Sequence, residues 1–144
     1  MSTDERRQMG TDDRHEMNTD KDGLYKDLTY KIIGALYEVH NKLGSSHKEN
    51  IYHKAVAMEF KERKIEFEGE KALPVKYKDQ KIGTYRPDFV IENKVVLEIK
   101  AVPLITKVML NQAFYYIKGT SFQLVLLANF GTPKLTIRRR IYTR

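Results

Sequence analysis

Two short apolar runs, Phe89-Val90-Ile91 and Val95-Val96-Leu97, stand only three polar residues apart, and this pair constrains the chain more than any other feature. Runs this short, rich in β-branched residues and bounded by polar punctuation, read as strands, and Glu92-Asn93-Lys94 between them reads as a tight reversal. The segment therefore predicts an antiparallel hairpin. With a three-residue loop Ile91 faces Val95, and counting outward sets Asp88 directly opposite Glu98, a position in which Cβ atoms lie roughly 5 Å apart. Alternation puts Lys100 on the face of Glu98, while Phe89, Ile91, Val95, Leu97 and Ile99 take the other. Two carboxylates held that close repel each other unless something compensates, and a hard divalent cation with oxygen ligands, magnesium above all, is the usual solution. A lysine beside them could orient or help deprotonate a water, or stabilise charge building on a reacting phosphorus. The bland alternative is an exposed Asp-Glu-Lys cluster forming an ion pair of little worth. That alternative gives no reason for charges to interrupt a run as apolar as Val95 to Ala101.

Elsewhere the pattern alternates between helical and strand periods. Leu28, Ile32, Ala35, Leu36, Val39 and Leu43 recur at three- and four-residue spacing, predicting an amphipathic helix that stops at Gly44. A second helix is expected after Ser46, with Ile51, Ala55 and Met58 facing inward, to about Lys64. Strand alternation follows at Ile65 to Glu68 and Val75 to Lys78, with Asp79-Gln80 as a turn before Ile82. Beyond the hairpin, Ile105, Val108, Met109, Gln112, Ala113, Tyr116 and Ile117 predict a third helix ended by Gly119. Phe122 to Ala128 is apolar enough for a strand covered on both faces, and a last strand runs from about Lys134 to Tyr142. Two helices, a strand meander, a helix and two strands predict an α/β fold with a mixed sheet and helices on its faces.

Composition excludes some classes. The 144 residues suit one domain, and no apolar run approaches the roughly 20 residues a membrane helix needs. The start shows no secretory pattern, and the absence of cysteine removes disulfides and thiolate metal sites and fits a reducing cytoplasm. Residues 1–22 are polar and lack apolar periodicity, which predicts a disordered tail ahead of a single domain at 23–144. Seven acids against four bases put that tail at −3, so the remainder of a chain of net charge +7 carries +10. Such a surface attracts polyanions. Lys134, Arg138, Arg139, Arg140 and Arg144 concentrate charge in the last strand, as phosphate contacts or as a solvated edge that blocks sheet pairing.

Pro87-Asp88 and Glu98-Ile99-Lys100, in this order and spacing, resemble the signature of the PD-(D/E)XK nuclease superfamily. More narrowly, the chain resembles the small GxxExxY proteins assigned to that superfamily. Ile33-Gly34, Val39-His40, Glu49 with Tyr52, Tyr85-Arg86-Pro87-Asp88-Phe89, Gln112 with Tyr116 and Asn129-Phe130-Gly131 carry this likeness from about Leu28 to the C-terminus. Ser46 stands where the name motif has its first glycine. The resemblance implies a restriction-endonuclease-like core and a magnesium-dependent site, with manganese as a substitute. Asp88 and Glu98 would be its metal ligands, an acid from an early helix, Glu49, would complete it, and Lys100 would stand at the attacking water. It also turns Gln112 toward the active site, where the alternative is a core amide bonded to backbone. Glu49 has a structural alternative too, as the partner of Ser46 in a helix-capping box. His47 and His53 read as surface histidines, and His40 as a packing or hydrogen-bonded one.

The function implied is hydrolysis of a nucleic-acid phosphodiester, DNA or RNA, by a magnesium-activated water, leaving a 5′-phosphate. A second subunit would help a nuclease this compact span a duplex, so a homodimer is compatible; no membrane partner is expected. The other class is a non-catalytic module of the same fold that binds nucleic acid or a protein. Retention of Asp88, Glu98 and Lys100 together favours the enzyme, because a scaffold has no need of all three.

Overall fold

A computed structural model describes residues 23–143. The expectation of a disordered tail at 1–22 lies outside the described residues. Among the described residues three helices and seven strands follow one another as α1 (Lys26–Leu43), α2 (Glu49–Glu62), β1 (Phe67–Gly69), β2 (Leu73–Tyr77), β3 (Gln80–Tyr85), β4 (Phe89–Ile91), β5 (Val95–Lys100), α3 (Lys107–Lys118), β6 (Leu124–Asn129) and β7 (Thr136–Ile141). Five strands form a mixed sheet in the order β1-β4-β5-β6-β7. Only β5 and β6 are parallel, joined by the α3 crossover, as a parallel pair requires. The α/β architecture expected from the sequence is the one observed, a mixed sheet with helices on its faces. No helix among the described residues is long and apolar enough to cross a membrane.

Strand alternation divides the core into two layers. Val95, Leu97 and Ile99 of β5 and Leu124, Leu126 and Ala128 of β6 pack against α1 and α2. Val96, Val125 and Leu127 point the opposite way, toward α3. Every residue of β6 is buried, as its unbroken apolar run anticipates. The end of α1 also follows expectation: Gly44 has φ 75°, a left-handed conformation that costs a glycine little, and its N–H caps the helix on the His40 carbonyl (2.8 Å).

Three expectations need correction. The inward stripe of α2 is Tyr52, Val56 and Phe60, whereas Ile51 and Met58 face outward. The inward stripe of α3 is Leu110, Ala113 and Ile117; Val108 and Tyr116 are exposed, and Gln112 is exposed rather than buried. Both helices carry apolar residues on more than one face, so periodicity alone leaves their rotation open. The strand meander is also split, because β2 and β3 pair only with each other in a separate two-stranded sheet. Their turn falls at Lys78-Asp79, one residue earlier than expected, with φ of 50° and 64°.

The last strand is an edge of the main sheet, but not a freely solvated one. Ile137 and Ile141 are in the core, and Arg139 between them is buried, with Nη2 donating to the Leu24 carbonyl (3.1 Å). One of the basic residues considered for phosphate contact thus lies inside the protein.

Candidate active site

The hairpin has the register that counting gives. Ile91 pairs with Val95, Val90 with Val96 and Phe89 with Leu97. Glu92 and Asn93 take positive φ of 50° and 55° in the turn, and Lys94 N–H closes it on the Ile91 carbonyl (3.0 Å). Asp88 and Glu98 come next, where the backbone ladder ends and side chains continue it. The Asp88 N–H donates to Glu98 Oε1 (3.0 Å), and the Ile99 N–H donates to Asp88 Oδ2 (2.7 Å). Each carboxylate is thereby pinned to the other's strand. Charge-assisted bonds of this kind are about twice as strong as neutral ones.

Glu98 has a second partner, a short hydrogen bond donated by the hydroxyl of Tyr85 at the end of β3. Burial pushes the Glu98 carboxyl up to about 7, with the Asp88 charge adding to it and the bonds from Tyr85 and the Asp88 N–H holding it down. Burial and the same carboxylate push the Tyr85 phenol far above its ordinary range. The Tyr85 ring stacks on Tyr116 of α3 (4.6 Å, 20°), and the Tyr116 hydroxyl accepts from Gln112 Nε2 (3.2 Å). Glu98, Lys100, Met109, Gln112, Ala113, Tyr116 and Leu127 line one cavity of about 200 Å³. Gln112 therefore does reach the same cavity as Glu98 and Lys100, from its rim.

Glu49 opens α2 and approaches from the other layer. Partial burial of its carboxyl raises it above the ordinary range even though the residue as a whole stays exposed; Lys100 and His53 oppose that shift and Asp88 adds to it. The cap of α2 is Lys48, with no side-chain hydrogen bond, so Ser46 and Glu49 do not make a capping box. His53, one turn along, is not a plain surface histidine. Its ring stacks on Phe89 (4.4 Å, 22°), and Nε2 lies 3.9 Å from Asp88 Oδ1. Sequence reasoning missed His53 and Tyr85 as neighbours of the acids. The one available signal was that His53 shares a helical face with Glu49.

A second group of residues holds the frame. Asn129, fully buried at the end of β6, accepts from the Val102 and Gly131 N–H groups (2.9 and 3.1 Å) and donates to the Val102 carbonyl (2.9 Å). A side chain on Gly131 would collide with the backbone of Ala101 and Val102. The Phe130 N–H binds the Lys100 carbonyl (2.8 Å), so Asn129-Phe130-Gly131 clamps the chain where it leaves Lys100. Tyr52 stacks on Phe130 (4.7 Å, 19°) and donates to the Gly44 carbonyl (2.5 Å), while His40 Nε2–H donates to the Thr132 carbonyl (2.9 Å). His40 is a hydrogen-bonded packing residue, as expected.

The donor chemistry fits a hard divalent cation: two crowded carboxylates, one of them raised in pKa by burial and by its neighbour, are stabilised by positive charge. Asp88 and Glu98 are the pair brought together, with Glu49 within electrostatic reach. Among the described residues no three His, Asp or Glu side chains converge as a ready-made metal cage.

The sequence pattern of the PD-(D/E)XK nuclease superfamily matches residues 26–140. No curated protein and no solved structure matches the chain. The match covers both helical layers, the sheet as far as Arg140 of β7 and every residue of the cavity just described, and the chain belongs to the PD-(D/E)XK nuclease superfamily.

Proposed function

We propose that the protein is a metal-dependent nuclease that hydrolyses phosphodiester bonds in nucleic acid. The observation that carries this reading is the reciprocal bracing of Asp88 and Glu98 beside a cavity that Lys100 also lines. Asp88 and Glu98 would hold a magnesium ion, with manganese able to replace it, and Glu49 would serve as the third acid. A bound divalent ion supplies Lewis acidity, lowering the pKa of water and offsetting charge on the phosphate. The protein's own groups then have separate tasks. Backbone N–H bonds fix the direction of both carboxylates, Lys100 places a positive charge where the phosphate gathers negative charge, and Gln112 and Tyr116 form the polar rim past which substrate enters. Within the superfamily the narrower likeness is to the GxxExxY proteins, supported by Glu49 and Tyr52 at the start of α2 and by the clamp at Asn129-Phe130-Gly131.

A specific observation also favours a second reading. Glu98 is already engaged by Tyr85 and by the Asp88 N–H, an arrangement that also suits a protein that keeps the fold and binds nucleic acid without cutting it. The two are separated by incubating purified protein with Mg²⁺ or Mn²⁺ and DNA or RNA. Cleavage is expected, and Lys100→Ala should lower its rate about a hundredfold, roughly 3 kcal/mol of transition-state stabilisation. Metal affinity, measured by calorimetry, should be kept or increased in that variant, because a nearby cation has been removed. Asp88→Asn should lose affinity and cleavage together. Binding without cleavage under every metal and substrate condition, unchanged in the Lys100 variant, would leave the binding module as the better reading.

A further inference from the structure

The hairpin formed by β2 and β3 stands apart from the main sheet. Its root is fixed: Leu73 and Tyr85 are buried in the α3 layer, Val75 packs tightly on Gly119, and the Lys76 N–H donates to the Gly119 carbonyl (3.1 Å). Its outer part is not covered. From Lys76 to Ile82 every residue is exposed, and the two large apolar ones, Tyr77 and Ile82, are 60% and 66% exposed. Three lysines, Lys76, Lys78 and Lys81, stand there against one acid, Asp79. Lys78 Nζ lies 5.4 Å from the Tyr77 ring centre, so the ribbon carries an aromatic surface with cationic groups about it.

We propose that this hairpin is an arm that binds double-stranded DNA and holds it across the candidate active site, an inference that rests on the nuclease reading for the purpose of the grip but not for the grip itself. Charge selects the occupant. A second copy of the chain would bring another lysine-rich ribbon against this one, and lysines along an exposed edge oppose strand pairing. A polyanion is complementary to it. Shape narrows the choice, since a two-stranded ribbon fits the B-form major groove, about 12 Å wide, whereas the A-form RNA major groove is too deep and narrow for side chains to read. Connectivity supplies the registration. β3 links Lys81 to Tyr85, whose hydroxyl binds Glu98, with a bulge at Ile82 where the register against β2 shifts. Four residues of regular strand rise about 13 Å, the length of about four base pairs, and the bulge shortens that span, so Lys81 stands within a few base pairs' length of Tyr85. Arg139, by contrast, is spent on the interior.

The test uses the full chain in EDTA, where binding is read without cleavage. Fluorescence anisotropy with a 20-base-pair DNA duplex, repeated over a salt series, gives the slope of log affinity against log salt concentration. The triple variant Lys76→Gln/Lys78→Gln/Lys81→Gln should weaken binding at least tenfold and reduce that slope by about 2 to 3, the change expected for two or three lost phosphate contacts. Lys26→Gln/Lys31→Gln/Lys42→Gln on α1 makes the same change in net charge on the opposite layer and should leave the slope within about one unit of wild type. Equal slopes in the two triple variants would overturn the arm, as would a duplex RNA of the same length bound as tightly as DNA, or a wild-type protein that binds no duplex. Circular dichroism checks that the hairpin variant is folded. Should wild type bind DNA through the arm yet fail to cut it with metal, the nuclease reading falls and the arm stands. Should cleavage depend on Asp88 and Lys100 but not on the arm lysines, with the slope unchanged, the reverse holds.

Discussion

One strand, β5, has two faces with opposite chemistry. Toward α1 and α2 it presents Val95, Leu97 and Ile99, all fully buried among aliphatic and aromatic side chains. Toward α3 it presents Val96, then Glu98, then Lys100, so its second face begins as core and ends as a polar cavity. The first layer is closed by two helices of 18 and 14 residues, the second by one helix of 12 residues and a hairpin. Placing charges on the thinner layer gives them access to solvent while the thicker layer keeps the strand in position. Stability and chemistry are thus carried by neighbouring residues of one strand, and substitutions at adjacent positions should have effects of different kinds.

The comparison is broken most directly at Leu97. Leu97→Ala should cost about 3 kcal/mol of stability by leaving a cavity in the closed layer, with metal affinity of the still-folded protein unchanged within twofold. Denaturant unfolding and calorimetry read the two quantities. A loss of metal affinity without a loss of stability would show that the layers are not independent.

At Glu98, one residue on, the sign of the stability effect should reverse. Its folded pKa of about 7 lies above the ordinary value of 4.5, so the folded state binds the proton more tightly and ionisation opposes folding. Below pH 4.5 the effect is absent; it grows from there to about 7, and above that it is fully present. Glu98→Gln removes the charge and keeps an acceptor for Tyr85, and should stabilise the metal-free protein at pH 8 by about 2 kcal/mol, and hardly at all at pH 4. Thermal melts at the two pH values check this. A variant less stable at both would mean that the bracing bonds outweigh the cost of the buried charge.

The smallest effect is expected at Gln112, on the rim. Gln112→Ala should change stability by less than about 0.5 kcal/mol, as exposed positions do, and should raise KM more than it lowers kcat in the cleavage assay. A change in kcat alone would move the residue from the entrance to the reacting groups.

Much of this arrangement was legible in the chain because it is local. The Glu92-Asn93-Lys94 loop fixes the pairing of Ile91 with Val95, and with it the partnership of Asp88 and Glu98, without reference to anything distant. The apolar run of β6 likewise declared its burial on both faces. The rotations of α2 and α3 were not legible, since Ile51, Met58 and Val108 compete with Tyr52, Val56 and Leu110 for the inward stripe, and only the sheet beneath decides between them. His53 escaped for the same reason: its position depends on α2 crossing Phe89, a contact between segments far apart in sequence. The turn at Lys78-Asp79 was displaced by one because Asp79 tolerates either of the two central places. Tyr52 and Asn129-Phe130-Gly131 were legible as part of a family likeness, but their work as a clamp on the exit from Lys100 emerges only in three dimensions.

The ten-residue separation of the braced acids has a meaning in terms of chain entropy. Closing a loop costs free energy that grows only with the logarithm of its length, so bringing Asp88 to Glu98 is among the least expensive encounters the sheet requires. Glu49 stands 49 positions before Glu98, and that longer closure costs about 1.4 kcal/mol more before any packing of α2 repays it. The pair of acids is therefore the inexpensive part of the site and the third acid the costly one. Fraying of the helix that carries Glu49 would leave two carboxylates still facing each other, held by a hairpin that closes on itself.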